Sequence, residues 1–332
     1  MNVMRLKTLF IAIPFCAATL MSAAQKGIVG RIDSLLEVRQ KRSAARYDTA
    51  YIAKPEQRWT VKLRANMSGT DLNADGVMSG EPFRTELEAE AKATVGASVS
   101  YRGLSLSLML NPAKLSGRDR DYEFNFTSYG RRFGFDFTFT QAKTFSGTMT
   151  SGGTDTDIAS GQVGMTTYQG NAYYVFNHRR FSFPAAFTQS QVQRRSCGSW
   201  LLGLSAFSGR VDAAGGVMTE DAARMSMFGV SIGAGYAYNF VVGRRWLLHL
   251  STTPQYLVVS RNRLTVDGER RKAPFKFFSS VNVVGRLAAV YNFGNKFVGM
   301  TAVVNVLRQG DDDILLTESV KWRARLFYGF RF

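Results

Sequence analysis

The hydrophobic residues of this chain recur mostly with a period of two, which is the pattern of a β-strand with two different faces. The segment Thr317–Phe332 shows the pattern most plainly, because every second residue from Val320 onward is apolar. Lys321, Arg323 and Arg325 lie between these apolar residues. One face of the predicted strand is therefore apolar and the other largely basic, which suits a wall between lipid and a hydrated lumen.

The same alternation recurs in 12 segments separated by residues that favour turns. The apolar faces are clearest at Leu104, Leu106, Leu108 and Leu110, at Phe133, Phe135, Phe137 and Phe139, and at Phe228, Val230, Ile232, Ala234, Tyr236, Tyr238 and Phe240. The predicted strands are Gln57–Met67, Arg84–Tyr101, Leu104–Asn111, Arg120–Tyr129, Phe133–Phe145, Gln162–Phe176, Ser196–Gly209, Met225–Val241, Arg245–Ser260, Phe275–Tyr291, Lys296–Arg308 and Thr317–Phe332. An even number of antiparallel strands can close on itself, so we predict an all-β fold, a transmembrane antiparallel β-barrel of about 12 strands.

The predicted connections are tight on one side of the barrel and longer on the other, as in outer-membrane barrels. The tight turns are Arg102-Gly103, Gly130–Arg132, Val242–Arg244 and Asn292–Asn295. The longer loops are Ser68–Phe83, Pro112–Asp119, Ser146–Gly161, Arg210–Arg224, Arg261–Pro274 and Gln309–Leu316. The segment His178–Arg195 breaks the alternation, and its Pro184 lacks the donor that a strand ladder needs. We predict that it is a periplasmic connection or a segment inside the barrel, with an extra strand as the alternative.

The first residues of the chain predict export. Arg5 and Lys7 precede the apolar run Leu9–Leu20, and small residues follow it, so we predict a signal peptide over residues 1–24 with cleavage after Ala24. The run is short for a bilayer core of about 30 Å, which disfavours a membrane anchor. Residues 25–56 are predicted to be a periplasmic segment whose helix, Lys26–Arg46, is a leader or a plug in the barrel mouth. Residues 57–332 are predicted to be the barrel, in the outer membrane of a Gram-negative cell.

The net charge of +17 changes this interpretation little. A basic chain invites a nucleic-acid partner, but export and the alternation of charges with apolar residues argue against one. The predicted partners are outer-membrane lipids, periplasmic chaperones and the barrel assembly machinery. The terminal alternation, Leu326, Tyr328, Phe330 and Phe332, resembles the assembly signal of outer-membrane barrels. Cys197 alone remains after cleavage, so no intrachain disulfide is predicted, and we assign it to packing.

Charge is distributed unequally between the two ends of the predicted barrel. The short-turn side carries Arg102, Arg131, Arg132, Arg179, Arg180, Arg244, Arg245 and Lys296, and the long loops carry Asp71, Asp75, Asp155, Asp157, Asp311, Asp312 and Asp313. Arginine pairs well with phosphate, so the basic rim is predicted either to contact lipid phosphates or to be simply solvated.

A ladder of charged residues is predicted inside the lumen. Its members are Lys62 and Arg64 on the first strand, Glu86, Glu88 and Glu90 on the second, and Arg323 and Arg325 on the last. Barrel closure brings these three strands side by side, and opposite charges on neighbouring strands stabilise the pairing. The alternative to a structural ladder is a charged pore lining, since a 12-stranded lumen lies between packed small barrels and wide porins.

Two motifs resemble chemical sites, and neither is predicted to act as one. His249 and Ser251 are spaced as in the His-x-Ser of outer-membrane phospholipases, with Asn262 as a possible third member. Both side chains are predicted to point into the lumen near the periplasm, and Asn262 falls in a loop. The run Asp71–Gly76 matches the opening of a calcium loop, but Pro82 occupies the closing position. No catalytic residue, metal or cofactor is therefore predicted.

Four short segments carry a family resemblance: Tyr47–Ile52, Arg58–Lys62, Phe181–Ser190 and Ser196–Ser199. Through them the chain resembles an uncharacterised outer-membrane family, domain of unknown function 4421. The resemblance implies a Gram-negative barrel and no known activity. The predicted function is a non-enzymatic, porin-like or envelope-organising role. The alternatives are a lipid hydrolase in the barrel wall and a surface-binding protein that acts through its extracellular loops.

Overall fold

The computed structural model describes residues 47–78, 81–101, 104–115, 117, 121–214, 223–266, 269–273, 280–311 and 315–332. The predicted signal peptide and the helix Lys26–Arg46 lie outside these residues. The strands described below belong to one compact unit, Asp48–Phe332. Within the described part of the chain, no helix has the length and apolar character needed to cross a membrane.

The elements follow the chain in this order. The strands are β1 (Ile52–Ala53), β2 (Trp59–Met78), β3 (Glu81–Ala89), β4 (Lys92–Tyr101), β5 (Leu104–Leu110), β6 (Tyr122–Tyr129), β7 (Phe133–Ser151), β8 (Thr154–Val175), β9 (Val192–Gln193), β10 (Cys197–Ala213), β11 (Ala223–Val242), β12 (Trp246–Val266), β13 (Glu269–Ala273), β14 (Val281–Phe293), β15 (Lys296–Asp311) and β16 (Leu315–Arg331). The helices are α1 (Pro112–Leu115), after β5, and α2 (Phe183–Phe187), after β8.

The wall is an antiparallel sheet that closes on itself. Hydrogen-bonded neighbours run from β16 through β15, β14, β12, β11, β10, β8 and β7 to β3 and β2. β2 also pairs with β16, along the whole length of β16, from Thr60↔Arg331 to Gly76↔Leu315. The predicted closure between the first and last wall strands is confirmed, and so is the all-β barrel.

The two ends of the barrel are different, and we name them by their turns. The proximal end carries the turns at residues 130–132, 243–245 and 294–295 together with the last residue, Phe332. The distal end carries the hairpin turn of Gly152 and Gly153 between β7 and β8. Both glycines have positive φ, 57° and 79°, as a two-residue type I′ turn requires.

The wall narrows from the proximal to the distal half. β2 pairs with β4 proximally, from Trp59 to Ser68, and with β3 distally, from Asp71 to Met78. β5 pairs with β4, and β6 with β7, in the proximal half only. Further out, β3 pairs directly with β7. Among the described residues the proximal wall therefore has the predicted 12 strands, and it has two fewer where β3 joins β2 to β7.

Two strand irregularities mark the level at which the wall narrows. The chain leaves the ladder at Glu90 and Ala91, between β3 and β4, and β7 shifts register between Ala142 and Gly147. The buried Asp121 joins the two irregularities, accepting hydrogen bonds from the Lys143 amide at 2.6 Å and from Thr144 at 2.7 Å on β7 and lying 3.6 Å from Lys92 Nζ on β4. A one-residue shift moves every following side chain to the other face of the sheet.

The polarity of the inner and outer faces of the wall is reversed between the two halves. Proximally, large apolar side chains are exposed on the outside, among them Leu63, Met67, Phe124, Trp200, Leu250, Met300 and Leu326. Distally, the apolar side chains are inside, and this distal core includes Leu72, Leu87, Phe145, Met149, Met165, Phe207 and Met227. Apolar side chains turn away from water, so the proximal half suits a bilayer and the distal half suits an aqueous surrounding.

The distal half corrects three predicted loops, since Arg261–Pro274 is also mostly strand where it is described, in β12 and β13. Ser68–Phe83 is largely strand, because β2 continues to Met78 and β3 begins at Glu81. Ser146–Gly161 is also strand, with β7 and β8 meeting at the Gly152-Gly153 turn. Ser68–Phe83 and Ser146–Gly161 place polar residues outside and apolar residues inside, the reverse of a lipid-facing strand, which is why their sequences predict loops.

Candidate functional site

The segment after β8 fills the proximal lumen. We call residues 177–196 the plug. Its helix α2 begins at Ser182, whose hydroxyl accepts a hydrogen bond from the Ala185 amide at 3.1 Å, with Pro184 in the first turn. Every residue of Phe183–Phe187 is buried. The segment His178–Arg195, predicted to be a periplasmic connection or a segment inside the barrel, is mostly buried inside the barrel over Phe181–Gln193, while Arg179, Arg180, Arg194 and Arg195 are exposed at the proximal end. The alternative of an extra spanning strand is wrong, because the segment forms α2 and the two-residue β9.

The plug is paired with the residues that precede the wall. β1 and β9 form an antiparallel pair, with Ile52 opposite Gln193. The Asp48 amide donates to Arg179 O at 2.8 Å, and the Arg194 amide donates to Tyr51 O at 2.7 Å. Residues of two segments that carry the family resemblance, Asp48–Ile52 and Phe181–Ser190, therefore belong to one structural unit.

Aromatic rings fix the plug against the wall. The Tyr129 and Phe187 rings stack with centroids 4.6 Å apart, and Tyr173 lies 4.7 Å from Phe183. Aromatic pairs at these separations contribute about 0.5–1.5 kcal/mol each beyond their buried area. At the other end of the plug, the Asn177 side chain contacts the half-buried Cys197 sulfur at 3.2 Å.

His249 joins the wall to the plug through a polar cluster. Its Nδ1 lies 2.7 Å from Asn239 Oδ1, and its Nε2 lies 3.1 Å from Ser251 Oγ. The Asn239 amide donates to Ser182 O at 3.0 Å and to Gln193 Oε1 at 3.1 Å. The Phe181, Phe183 and Phe187 rings surround the imidazole.

This cluster has the order of a serine–histidine–amide relay but not the access that a hydrolase needs. His249 is 3% exposed and Ser251 is 1% exposed, beneath the plug. The predicted third member, Asn262, lies in the distal half of β12 and not in a loop. The observed partner, Asn239, is the direct register partner of His249. Counting outward from the tight turn Val242–Arg244 would have found this pair in the sequence.

A line of cations follows the seam between β2 and β16 on the luminal face. Six consecutive luminal register pairs each contain one cation: Lys321↔Thr70, Arg323↔Ser68, Arg325↔Asn66, Phe327↔Arg64, Gly329↔Lys62 and Arg331↔Thr60. We call these six side chains the basic seam. No two of them are direct partners, which avoids the repulsion of like charges placed opposite each other.

The plug occupies the proximal members of the basic seam. Lys62 donates to Thr188 O and, at 2.9 Å, to Gln189 Oε1. Arg331 donates to Gln189 O at 3.2 Å and lies over the Phe297 ring at 4.3 Å. These contacts tie the closing strands of the barrel to the plug.

The middle of the basic seam is only partly paired. Arg325 Nε donates to Asn66 Oδ1 at 2.8 Å, and Arg325 lies within electrostatic reach of both Arg64 and Arg323. Arg64 and Arg323 each bury a guanidinium nitrogen that has no hydrogen-bond partner. Buried cationic donors without partners are costly, so this part of the lumen favours an anionic oxygen.

The acidic members of the predicted ladder are not in the lumen. Glu86, Glu88 and Glu90 are exposed on the outside of the distal half, where Glu86 pairs with Arg84 at 2.8 Å. The irregularity at Glu90 and Ala91 inverts the faces between β3 and β4, so the prediction that they face inward is wrong. Of the predicted ladder, Lys62, Arg64, Arg323 and Arg325 do face the lumen.

The luminal acid beside the seam is Glu123 of β6, which the sequence analysis missed. Ser68 Oγ donates to Glu123 Oε2 at 2.8 Å, and Lys321 and Arg323 lie within electrostatic reach of the carboxylate. The sequence does contain a signal for it: Glu123 lies between Tyr122 and Phe124, whose rings face outward, so Glu123 must face the lumen.

Cysteine labelling checks the reversed face of β3. In detergent solution and a Cys197→Ser background, we expect Glu86→Cys to react with a bulky water-soluble maleimide. Thr85→Cys is the matched control and should react at least about tenfold more slowly, because Thr85 is buried and Glu86 is not. Faster labelling at position 85 would show that the glutamates face the lumen after all.

A buried ion pair braces the lumen above the plug. Arg286 of β14 donates to Asp136 Oδ2 of β7 at 2.8 Å, although 150 residues separate them in sequence. Asn171 donates to the other carboxylate oxygen at 2.8 Å, and the Tyr173 ring lies 5.1 Å from the guanidinium. Between this layer and the distal core is a cavity of about 40 Å³, room for one or two waters.

Asp71 and Asp75, which suggested a calcium loop, lie on β2 in the distal half. Asp71 is opposite Glu88 and Asp75 is opposite Arg84, with 3.8 Å between Asp75 Oδ1 and Arg84 Nε. In the ranges that the structure describes, no group of three or more His, Cys, Asp or Glu side chains is placed to hold a metal ion. The loop that the calcium motif requires is replaced by a regular strand.

The proximal rim is basic where it is described. Arg131, Arg132, Arg179, Arg180, Arg244, Arg245 and Lys296 lie at that end, and Arg102 is outside the described residues. Partial burial and the nearby charge of Arg131 lower the pKa of Lys54, just before β2. Contact between this rim and lipid phosphates stays a prediction.

The predicted assembly signal lies on the lipid-facing side of the wall. Leu326, Tyr328, Phe330 and Phe332 are exposed and outward. The amide of Phe332 donates to Trp59 O at 3.0 Å, and the Trp59 amide donates back to Phe332 O at 3.0 Å. The last residue is thus part of the barrel closure, and its recognition by assembly machinery stays a prediction.

Comparison with known proteins identifies a matching family and several structures with a similar fold. The model of the family described as "Domain of unknown function (DUF4421)" matches residues 46–332. None of the curated proteins compared with the chain matches its sequence. The outer-membrane protease OmpT of Escherichia coli is similar in structure, with a TM-score of 0.45 and 8% identity over 83% of this chain and 97% of that one.

A second similar structure is the translocator domain of the autotransporter NalP of Neisseria meningitidis. It has a TM-score of 0.33 and 11% identity over 95% of this chain and 100% of that one. The toluene transporter TodX of P. putida has a TM-score of 0.25 and 8% identity over 84% of this chain and 91% of that one. These likenesses concern the barrel fold, and no activity is carried over from them.

Proposed function

The chain belongs to the DUF4421 family, whose description assigns no activity, and from its geometry we propose a filled outer-membrane β-barrel with an envelope-organising role. The exposed apolar belt of the proximal half supports a membrane location, and the polar outside of the distal half supports projection from it. A projecting barrel held rigid by its own interior is suited to connect or position other envelope components.

The observation that carries this proposal is a lumen occupied at two levels. The plug fills the proximal lumen, where α2 is buried among β6, β12 and β14. The distal core fills the other half with buried side chains from β2, β3, β7, β8, β10 and β11. A solute on the barrel axis would have to displace both, which argues against the porin-like alternative.

Planar bilayers test the proposal directly. We expect the purified full chain to give no unitary conductance steps, because ions meet the apolar distal core and the plug in series. Incorporation must be shown on the same sample by a folded band that shifts on boiling, since closed barrels migrate differently before and after heating. Reproducible conductance steps from folded, incorporated protein would contradict a filled barrel and would support the porin-like alternative.

A further inference from the structure

The proximal wall has two neighbouring strand edges. β5 pairs with β4 on one side, and β6 pairs with β7 on the other. Between the described residues of β5 and β6 no strand pairing exists. Unpaired edges in the hydrocarbon zone are costly, so a gap at this place in a barrel calls for an explanation.

The luminal face becomes accessible at this gap. Ser107 of β5 is the register partner of the buried Ser98, and Asn125 of β6 is the register partner of the buried Thr138. Register partners share a face of the sheet, so Ser107 and Asn125 also face inward. Both are nevertheless exposed, unlike luminal residues elsewhere at this level such as Asn171.

The gap is bounded and lies within the apolar belt. At its distal limit Lys92 Nζ is 3.6 Å from Asp121, and Ser68 contacts Glu123. Its outward flanks are exposed apolar side chains, Leu108 and Leu110 on β5 and Phe124 and Phe126 on β6. A molecule that reaches the gap from outside therefore comes from the hydrocarbon layer and not from water.

The unpaired part of the basic seam lies one strand away from the β5 edge of this gap. Arg64 is the register partner of Gly96, and Gly96 is the register partner of Met109 on the β5 edge. Glycine is needed at 96, because a Cβ there would lie 2.0 Å from the Leu108 carbonyl oxygen. Arg64 is therefore separated from the gap by the flexible Met109 side chain, whose Sδ lies 2.8 Å from the position of such a Cβ, and not by a side chain of β4.

We propose that the gap between β5 and β6 is a lateral entry for a membrane amphiphile whose phosphate-type head group binds Arg64 and Arg323. The apolar flanks hold the acyl chains in the bilayer while the head group enters the lumen. The unpaired guanidinium nitrogens then donate to anionic oxygens, the geometry for which arginine is best suited. Glu123 neutralises part of the charge near Lys321 and Arg323 and leaves Arg64 as the uncompensated cation. This inference goes beyond the filled barrel, since entry from the side needs no axial channel.

Native mass spectrometry of the full chain in dodecyl maltoside tests the binding. The probes are dioleoyl phosphatidylglycerol, dioleoyl phosphatidylcholine and inorganic phosphate, each added separately. We expect one retained phosphatidylglycerol and at least about tenfold weaker retention in Arg64→Gln/Arg323→Gln, because two charge-assisted hydrogen-bond donors are lost. The matched control is Arg84→Gln/Arg224→Gln, which removes the same charge from exposed distal positions and should retain the lipid.

Three other outcomes of the mass-spectrometry measurement would each contradict the inference. Equal retention by Arg64→Gln/Arg323→Gln would show that the seam does not bind the head group. Binding of inorganic phosphate without retention of the lipid would make the site one for a free anion, and lateral entry would then be wrong. Equal retention of phosphatidylcholine would show that the negative charge is not recognised.

A cross-link tests the route separately from the site. In a Cys197→Ser background, Ser107→Cys and Asn125→Cys are joined by a short bismaleimide after folding. We expect the bridged protein to load phosphatidylglycerol at least about tenfold more slowly than the same variant capped with N-ethylmaleimide. Equal loading rates would show that the lipid enters elsewhere.

Discussion

Replacement of Asp136 by asparagine is expected to lower the free energy of unfolding by about 3–5 kcal/mol, because Arg286 then keeps a buried charge without a counter-ion. The side chains are 4% and 2% exposed, so water cannot replace the lost partner. The pair also joins strands on opposite sides of the lumen, β7 and β14. Equilibrium unfolding in guanidinium chloride and dodecyl maltoside, followed by tryptophan fluorescence, measures the change.

Two variants separate charge burial from a general effect of mutation. Asp212→Asn removes an acid from an ion pair with Arg224 in which both side chains are about half exposed, and it should cost less than about 1 kcal/mol. Asp136→Leu/Arg286→Met removes both buried charges and should recover most of the stability lost in Asp136→Asn. If Asp136→Asn costs no more than Asp212→Asn, the pair does not brace the barrel.

The architecture was predictable because lipid imposes a simple pattern. Phe133, Phe135, Phe137 and Phe139 face outward as predicted, since an alternation of phenylalanine with polar residues fits one surface of a lipid-facing strand. The closure between first and last strands followed from an even strand count. The register partners of β11 and β12 also follow from their short turn, although the Asn239–His249 pair was overlooked.

The distal half was not predictable because the surrounding solvent changes along the strand. In β2 the even-numbered residues face inward throughout, and they change from Lys62 and Arg64 to Leu72 and Ala74. The apolar positions therefore change from the outer to the inner face without any change in the backbone, and the sequence pattern at that point is typical of a loop. The physical reason is that lipid outside the wall gives way to water.

The opposite error occurred in β3 and β4. From Glu86 to Lys92 polar residues occupy every even position without interruption, so the sequence shows no break. The one-residue irregularity at Glu90 and Ala91 inverts the faces at the level where the surroundings also invert. The change of face in the strand and the change from lipid to water outside the wall leave the alternation of polar and apolar residues uninterrupted. The sequence alone therefore does not show that the glutamates face outward.

Truncation of Phe183 to alanine is expected to lower the free energy of unfolding by about 3–5 kcal/mol. Phe183 is fully buried in α2, and its ring lies 4.7 Å from Tyr173 and 5.0 Å from His249. The truncation leaves a cavity in an apolar cluster and also uncovers the neighbouring His249 ring, so both effects lower the stability. The same guanidinium titration in dodecyl maltoside measures the change.

The control for this truncation is Phe124→Ala, which removes the same ring from the lipid-facing side of β6. Phe124 is largely exposed, and detergent or lipid can cover the alanine, so we expect a much smaller loss of stability than for Phe183→Ala in the plug.

Planar-bilayer conductance of Phe183→Ala should remain absent, because the distal core is unchanged. Equal costs for the two truncations would show that the plug adds little to stability and only occupies the lumen. Conductance in Phe183→Ala with an intact distal core would show that the plug is the sole barrier to ions. The protein would then be better described as a gated pore.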